Sequence, residues 1–202
     1  MADLLNYESD NPSIVELLEH GIHFSQHLLN NFNIVTGQSF PVIIQGDLPL
    51  VHMIKWGIPS PISVDGPELT YIYGPTIDKQ ESLKTLMKHQ RVLIPVQKFV
   101  HRRKGQGKDV VIQHPRNKVL WMVGMWSEST TGEKGFALIT RDADDSMRNL
   151  IRRIPVFLVE KPDINKWLDR SVTTLSEISD IIATPAQSAF QTNGMSIGPM
   201  VG

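Results

Sequence analysis

The chain has no cysteine, so its chemistry rests on imidazole, carboxylate, hydroxyl or guanidinium groups. A thiolate nucleophile, disulfides and sulfur-ligated zinc are excluded together. Two histidine arrangements are candidates. His20, His23 and His27 fall at i, i+3 and i+7, a spacing that turns imidazoles toward one helix face, where they could meet a metal. No carboxylate completes a zincin-type pattern and Gly21 weakens the helix at that point. The favoured reading is therefore a solvated or partner-facing stripe, with no metal and no cofactor expected. The second arrangement is His101-Arg102-Arg103-Lys104 with Lys108, five potentially cationic groups around one hairpin tip. Strand alternation places His101 and Arg103 on one face and Arg102 and Lys104 on the other. One reading is a phosphate-contacting groove with salt-dependent binding. The other is a charged hairpin that blunts an edge strand, which the near-zero net charge favours. His101 has the titration range of a general base, but its neighbours are cations and no orienting carboxylate is visible in the sequence. Asp142, Asp144 and Asp145 form an acidic cluster that a helix N-cap at Asp144 or Asp145 explains without a metal.

These residues must be positioned by a mixed set of elements. Asn11-Pro12 opens a helix carrying Ile14, Val15, Leu17, Leu18, Ile22, Leu28 and Leu29 at helical spacing. Pro41–Gln45 and Leu50–Trp56 read as strands around a turn at Gly46-Asp47. Asp78-Lys-Gln-Glu81 reads as a capping box for a helix through Leu83, Leu86 and Met87 to His89. Arg91–Val96 reads as a strand, Phe99–Arg103 and Asp109–Gln113 as a hairpin, and Val119–Trp126 with Phe136–Thr140 as a further pair. From Gly135 to Leu158 the pattern is strand, tight polar turn, short amphipathic helix and buried strand. Pro162-Asp163 starts a helix bearing Trp167 and Leu168; Thr174–Glu177 caps another through Ile178, Ile181 and Ile182, ended by Pro185. The sum is a single α+β domain over residues 1–185, a bent, mostly antiparallel sheet with short peripheral helices. Residues 186–202 carry no charge or clear periodicity and are expected to form an extended or disordered tail.

The bulk numbers leave the partner open. Twenty Lys+Arg against 21 Asp+Glu give a formal net charge of −1, so any nucleic-acid site must be a local basic patch. No apolar run reaches the ~18 residues of a membrane span, and the acidic N-terminus is unlike a signal peptide. A soluble protein is expected, cytoplasmic or virion-associated, with no membrane partner.

Six segments in order resemble one family. Gly135–Asp145 followed by Asn149–Leu158 is similar to the T-I-I-T-T-D-A-N and I-H-x-R-M-P-V-I-L runs of the SOS-response-associated peptidase (SRAP) proteins. Phe32–Gly37 is similar to Y-N-V-A-P-G, and Trp56–Ser60 to W-G-L-I-P-S-W but one residue shorter. Ile72–Pro75 stands at I-N-A-R, Arg91–Val96 at R-C-(L/I)-(I/V)-P, and Gly124–Trp126 at G-L-W; Trp167-Leu168 follows. The resemblance spans about residues 32–167. It implies a barrel-like α+β core and, for intact members, covalent capture of abasic sites in single-stranded DNA by a cysteine after the initiator methionine.

By the same resemblance the inherited reaction is lost. Position 2 is Ala2, which cannot form the thiazolidine. Tyr73 stands at the sugar-holding asparagine, Pro75 at the phosphate-binding arginine, His101 at the glutamate and Ile151 at the Schiff-base histidine. The expectation is a degenerate, non-catalytic member, a pseudoenzyme relative to the family's SOS-response chemistry. The family geometry would bring Arg152 and Arg153 near Arg102, Arg103, Lys104 and Lys108 as nucleic-acid contacts. Trp121, Trp126 and Trp167 are expected in the core, and Trp56 alone is weighed for stacking on bases. Two readings follow. One is a single-stranded-DNA-binding protein without covalent crosslinking. The other is a structural, assembly or interaction module, phage- or mobile-element-derived, that self-associates or binds protein partners through its C-terminal tail.

Overall fold

A computed structural model describes residues 3–8, 32–46, 50–63, 66–102, 109–145, 147–183, 190–192 and 195–197. The helix expected over 11–29, with His20, His23 and His27, lies outside the described residues. So do Ala2, Arg103, Lys104, Lys108 and Pro185.

Fourteen strands are described, in two sheets: β1 (Leu4–Tyr7), β2 (Phe32–Val35), β3 (Ser39–Ile44), β4 (Leu50–Trp56), β5 (Tyr71–Tyr73), β6 (Arg91–Val96), β7 (Lys98–His101), β8 (Val110–Gln113), β9 (Leu120–Glu128), β10 (Lys134–Asp142), β11 (Arg153–Pro155), β12 (Phe157–Leu158), β13 (Phe190–Thr192) and β14 (Met195–Ile197). The larger sheet closes on itself. β10 pairs with β4, β4 with β3, β3 with β6, β6 with β9, and β9 returns to β10, which makes a five-stranded barrel. β6, β9 and β10 are buried along nearly their whole length, so they read as continuous apolar runs rather than alternating ones. The sequence expectation of one α+β domain built on a bent, mostly antiparallel sheet holds.

The closing seam, β10 against β4, is parallel and short, with Gly135 opposite Lys55 and Phe136 opposite Trp56. It demands glycine. A Cβ on Gly135 would lie 1.9 Å from the Gly57 carbonyl oxygen, and Gly57 itself has a φ of +145°, which side chains resist. Of the prolines inside strands, Pro41 and Pro95 each pair on one side only: β3 and β6 meet solely at Ile43, Ile44, Leu93 and Val92. Neither therefore has to supply a second ladder donor.

The second sheet runs β14-β13-β8-β7-β1-β2. Two of the crossings between the sheets are tight corners. β2 turns into β3 through Gly37, at a φ of +88°. β6 runs into β7 through fully buried Gln97, whose amide accepts from Glu8 N–H at 2.8 Å and donates to the Glu8 carbonyl at 3.1 Å. The C-terminal segment set apart in the sequence contributes β13 and β14, and β13 pairs with β8.

Among the described residues three α-helices pack outside the barrel: α1 (Glu81–His89), α2 (Lys161–Leu168) and α3 (Leu175–Ala183). Two local expectations are corrected. Asp78 falls in a 3-10 segment, Gly74–Lys79, and the N-cap of α1 is Gln80 without a side-chain bond, so no capping box forms. The short helix expected after Asp142 is a compact turn, in which Arg148 N–H reaches the Asp144 carbonyl and Ile151 N–H the Met147 carbonyl. Asp144 Oδ1 accepts from Met147 N–H at 3.2 Å. The strand that follows is split at Val156 into β11 and β12.

Arg91 at the start of β6 fastens the helices. Fully buried, its guanidinium donates to the carbonyls of Met87 and Lys88 at the end of α1, and to Trp167 and Asp169 at the end of α2, at 2.6–3.0 Å. It also lies over the Trp167 ring. These are carbonyls that helix C-termini leave unpaired, at their negative ends. Burial pushes the guanidinium down to about 10, so it remains charged at neutral pH. A lysine has no planar fork to reach four carbonyls. Arg91→Lys is expected to lower unfolding stability by about 3 kcal/mol, read as a lowered urea midpoint.

Candidate functional site

A groove of about 860 Å³ opens between the ends of the two sheets. Its near wall comes from the second sheet: Asp3 just before β1, Phe99 and His101 on β7, and Arg102 just beyond. Its far wall comes from the barrel: Tyr71 and Tyr73 on β5, Thr140 and Asp142 on β10, then Arg148, Leu150, Ile151, Arg152, Arg153 and Pro155 along the turn into β11. Alternation on β5 sends both tyrosines to the groove while Ile72 enters the core.

The near wall is organised by the Asp3 carboxylate. Oδ2 accepts from the Tyr71 hydroxyl, while Oδ1 accepts from Arg102 N–H at 3.0 Å and faces His101 Nδ1 at 3.1 Å. A carboxylate here is acceptor-only, so Nδ1 carries the hydrogen and Nε2 is the basic nitrogen. The orienting acid that the sequence around His101 lacked is thus supplied from 98 residues away. The Arg102 guanidinium is drawn to Asp109, with Nε to Oδ2 at 3.5 Å.

The far wall has its own cluster. In the β10–β11 register Asp142 faces Arg153, and in the β10–β5 register Thr140 faces Tyr73. Asp142 Oδ2 accepts from the Tyr73 hydroxyl at 2.6 Å, and the Arg153 guanidinium lies 4.0 Å from the Tyr73 ring centroid, a cation–π stack. Ile151 is buried as an apolar floor. Four arginines and two aspartates line the opening, and Arg102 and Arg148 are also drawn to Asp109 and Asp145.

Several predicted residues therefore meet: Tyr73, His101, Arg102, Ile151, Arg152 and Arg153 line one groove. Two do not. Trp56 is 0% exposed, stacked on Phe136 and bonded through Nε1 to the Thr70 carbonyl, so it has no free face for a base. Pro75 lines a separate pocket of about 390 Å³ with Ile77, Met87, Leu175 and Ile182. Trp121 and Trp167 are buried, whereas Trp126 is only partly so. Sequence reasoning missed Asp3, Tyr71 and Arg148 as groove residues. Only Tyr71 carried a signal, its two-residue spacing from Tyr73. Among the described residues no group of three or more His, Asp or Glu could hold a metal ion, and no helix is long and apolar enough to cross a membrane.

A sequence profile described as SOS response associated peptidase (SRAP) matches residues 7–198. Comparison with curated protein sequences gives no match. Three crystal structures share the fold. One is a protein from Bacteroides thetaiotaomicron, with a TM-score of 0.71 and 18% identity over 95% of this chain and 90% of the other. Another is a phage-related protein from Bordetella bronchiseptica, with 0.73 and 19% over 95% and 92%. A further Bordetella bronchiseptica protein gives 0.73 and 12% over 98% and 100%.

Burial pushes the Tyr7 phenol up to about 12; burial, then the charge and hydrogen bond of Asp3, push Tyr71 up as well. Both shifts favour the neutral phenol in the fold. The stability they contribute is complete below the ordinary tyrosine value of about 10 and is lost as pH rises through the folded values. Denaturant midpoints are expected to hold up to about pH 9.5 and fall beyond about pH 10, with a shallower fall in Tyr71→Phe.

Proposed function

The chain belongs to the SOS response associated peptidase family, and on that footing we propose that it binds single-stranded DNA along the groove, without the covalent abasic-site crosslink. The observation that carries this reading is the convergence of Arg102, Arg148, Arg152 and Arg153 on one open groove of about 860 Å³. Arg102 lies far in sequence from the other three, and Asp3 and Asp142 are the carboxylates among the lining residues. Guanidinium groups pair well with phosphate oxygens. The Tyr73 ring offers a stacking platform once Arg153 swings from it to a phosphate. The non-covalent part rests on residue types. No cysteine is present, position 2 is alanine, and Tyr73 and Ile151 replace the groups that the family resemblance assigns to sugar and Schiff-base chemistry.

Fluorescence anisotropy with a single-stranded oligonucleotide at low salt tests the proposal. Binding is expected, with a log–log salt slope that drops by about 1.4 in the Arg152→Ala/Arg153→Ala double variant, about 0.7 per lost single-strand phosphate contact. Absence of binding at low salt would remove the reading.

A second reading, self-association or assembly, is favoured by β14, which ends the six-stranded sheet with its outer edge unpaired among the described strands. Such an edge can template pairing with another chain. Light scattering is expected to give a larger species for the full chain than for protein ending at residue 189. Unchanged monomers in both would count against it.

A further inference from the structure

We propose that His101 is a proton-dependent phosphate ligand of the groove, with Asp3 as its positioning residue. The inference rests on the nucleic-acid reading above and adds how that site is controlled. Asp3 has three partners: the Tyr71 hydroxyl, the Arg102 N–H and His101 Nδ1. Its side chain is only 14% exposed against 33% for His101, so the carboxylate is the fixed member of the pair. With Nδ1 committed to Asp3, Nε2 is the ring nitrogen left to a groove ligand, and it has no partner among the described residues.

The two protonation states treat a phosphate oppositely. In the neutral ring Nε2 holds a lone pair, which repels phosphate oxygens. In the imidazolium Nε2–H is a charged donor beside Arg102, and the Nδ1–H bond to Asp3 becomes charge-assisted. Bound phosphate therefore selects the imidazolium, and by linkage strand binding takes up a proton.

The surrounding groups isolate His101 as the switch. On its own wall stand Asp3 and Arg102, the last also drawn to Asp109, and Tyr71 reaches across from the barrel to Asp3. Opposite stand Tyr73, Asp142, Arg148, Arg152 and Arg153. Arginines and tyrosines keep one charge state between about pH 5 and 8, and carboxylates ordinarily titrate below it, whereas imidazole titrates within it.

The test is anisotropy of a rhodamine-labelled thymidine oligonucleotide with the full chain, at constant ionic strength, from about pH 5.5 to 8; thymine does not titrate there. Wild type is expected to bind about tenfold tighter at the acid end, the worth of one charged contact, with a salt slope steeper by about 0.7. His101→Gln is expected to bind as wild type does at the alkaline end, at every pH. Asp3→Asn keeps an acceptor for the ring but removes the charge, so the enhancement moves to lower pH. Calorimetry in two buffers of different ionisation enthalpy should register proton uptake in wild type and none in His101→Gln. Wild-type affinity that is flat with pH, or a pH response retained in His101→Gln, overturns the inference while the binding reading stands. No binding at any pH overturns both.

Discussion

One carboxylate sets the geometry of the functional face. Asp3 accepts from a hydroxyl on the barrel and faces an imidazole and a backbone N–H on the second sheet, so it ties together two sheets whose ends would otherwise splay. A largely buried acceptor with these partners is worth more than its individual bonds, because losing it leaves the donors unsatisfied in a low-dielectric setting. The groove exists because this tie holds one wall while the turn from Ala143 to Arg152 holds the other. That turn is closed by a 3.0 Å bond from Ala143 N–H to the Arg152 carbonyl.

Behind the groove the barrel supplies rigidity. Its closure depends on a parallel seam that tolerates only glycine at 135, and its outer helices depend on one buried guanidinium. The seam sets how closely β10 approaches β4, and therefore where β10 delivers Thr140 and Asp142. Arg91 does similar work on the far side, since a charge satisfied entirely by helix-end carbonyls fixes both helices relative to β6. Small shifts at either point would propagate, because packed interiors do not deform continuously.

The fold is shared with proteins at 12–19% identity, so the barrel demands little of any one side chain beyond apolar character and a few glycines. A site demands particular groups. Ile151 satisfies the barrel, packed as floor, yet it supplies no proton. Tyr73 is pinned between Asp142 and Arg153. On the proposed reading the groove keeps its walls under a different set of side chains, and its guanidinium groups would meet a phosphate-rich strand.

Much of this was legible in the residues alone. Apolar runs bounded by turns marked nearly every strand of the barrel, because burial on both faces leaves its record in continuous hydrophobicity. Resemblance at six places supplied the fold and a list of altered positions, most of which do meet in one groove. Local signals misled where they competed with packing. The Asp78–Glu81 pattern yielded to a 3-10 segment, and Trp56 was drawn inward to stack on Phe136. What the sequence by itself determined was composition-limited: no thiol chemistry, one α+β domain, cationic clusters at the 102 and 152 regions. Only the tertiary structure decided that Asp3 aims His101, that Arg148 joins the groove and that Pro75 leaves it. Those facts depend on contacts between residues as many as 98 positions apart, and no periodicity or spacing along a chain encodes which distant side chains the closure of two sheets will bring within a hydrogen bond.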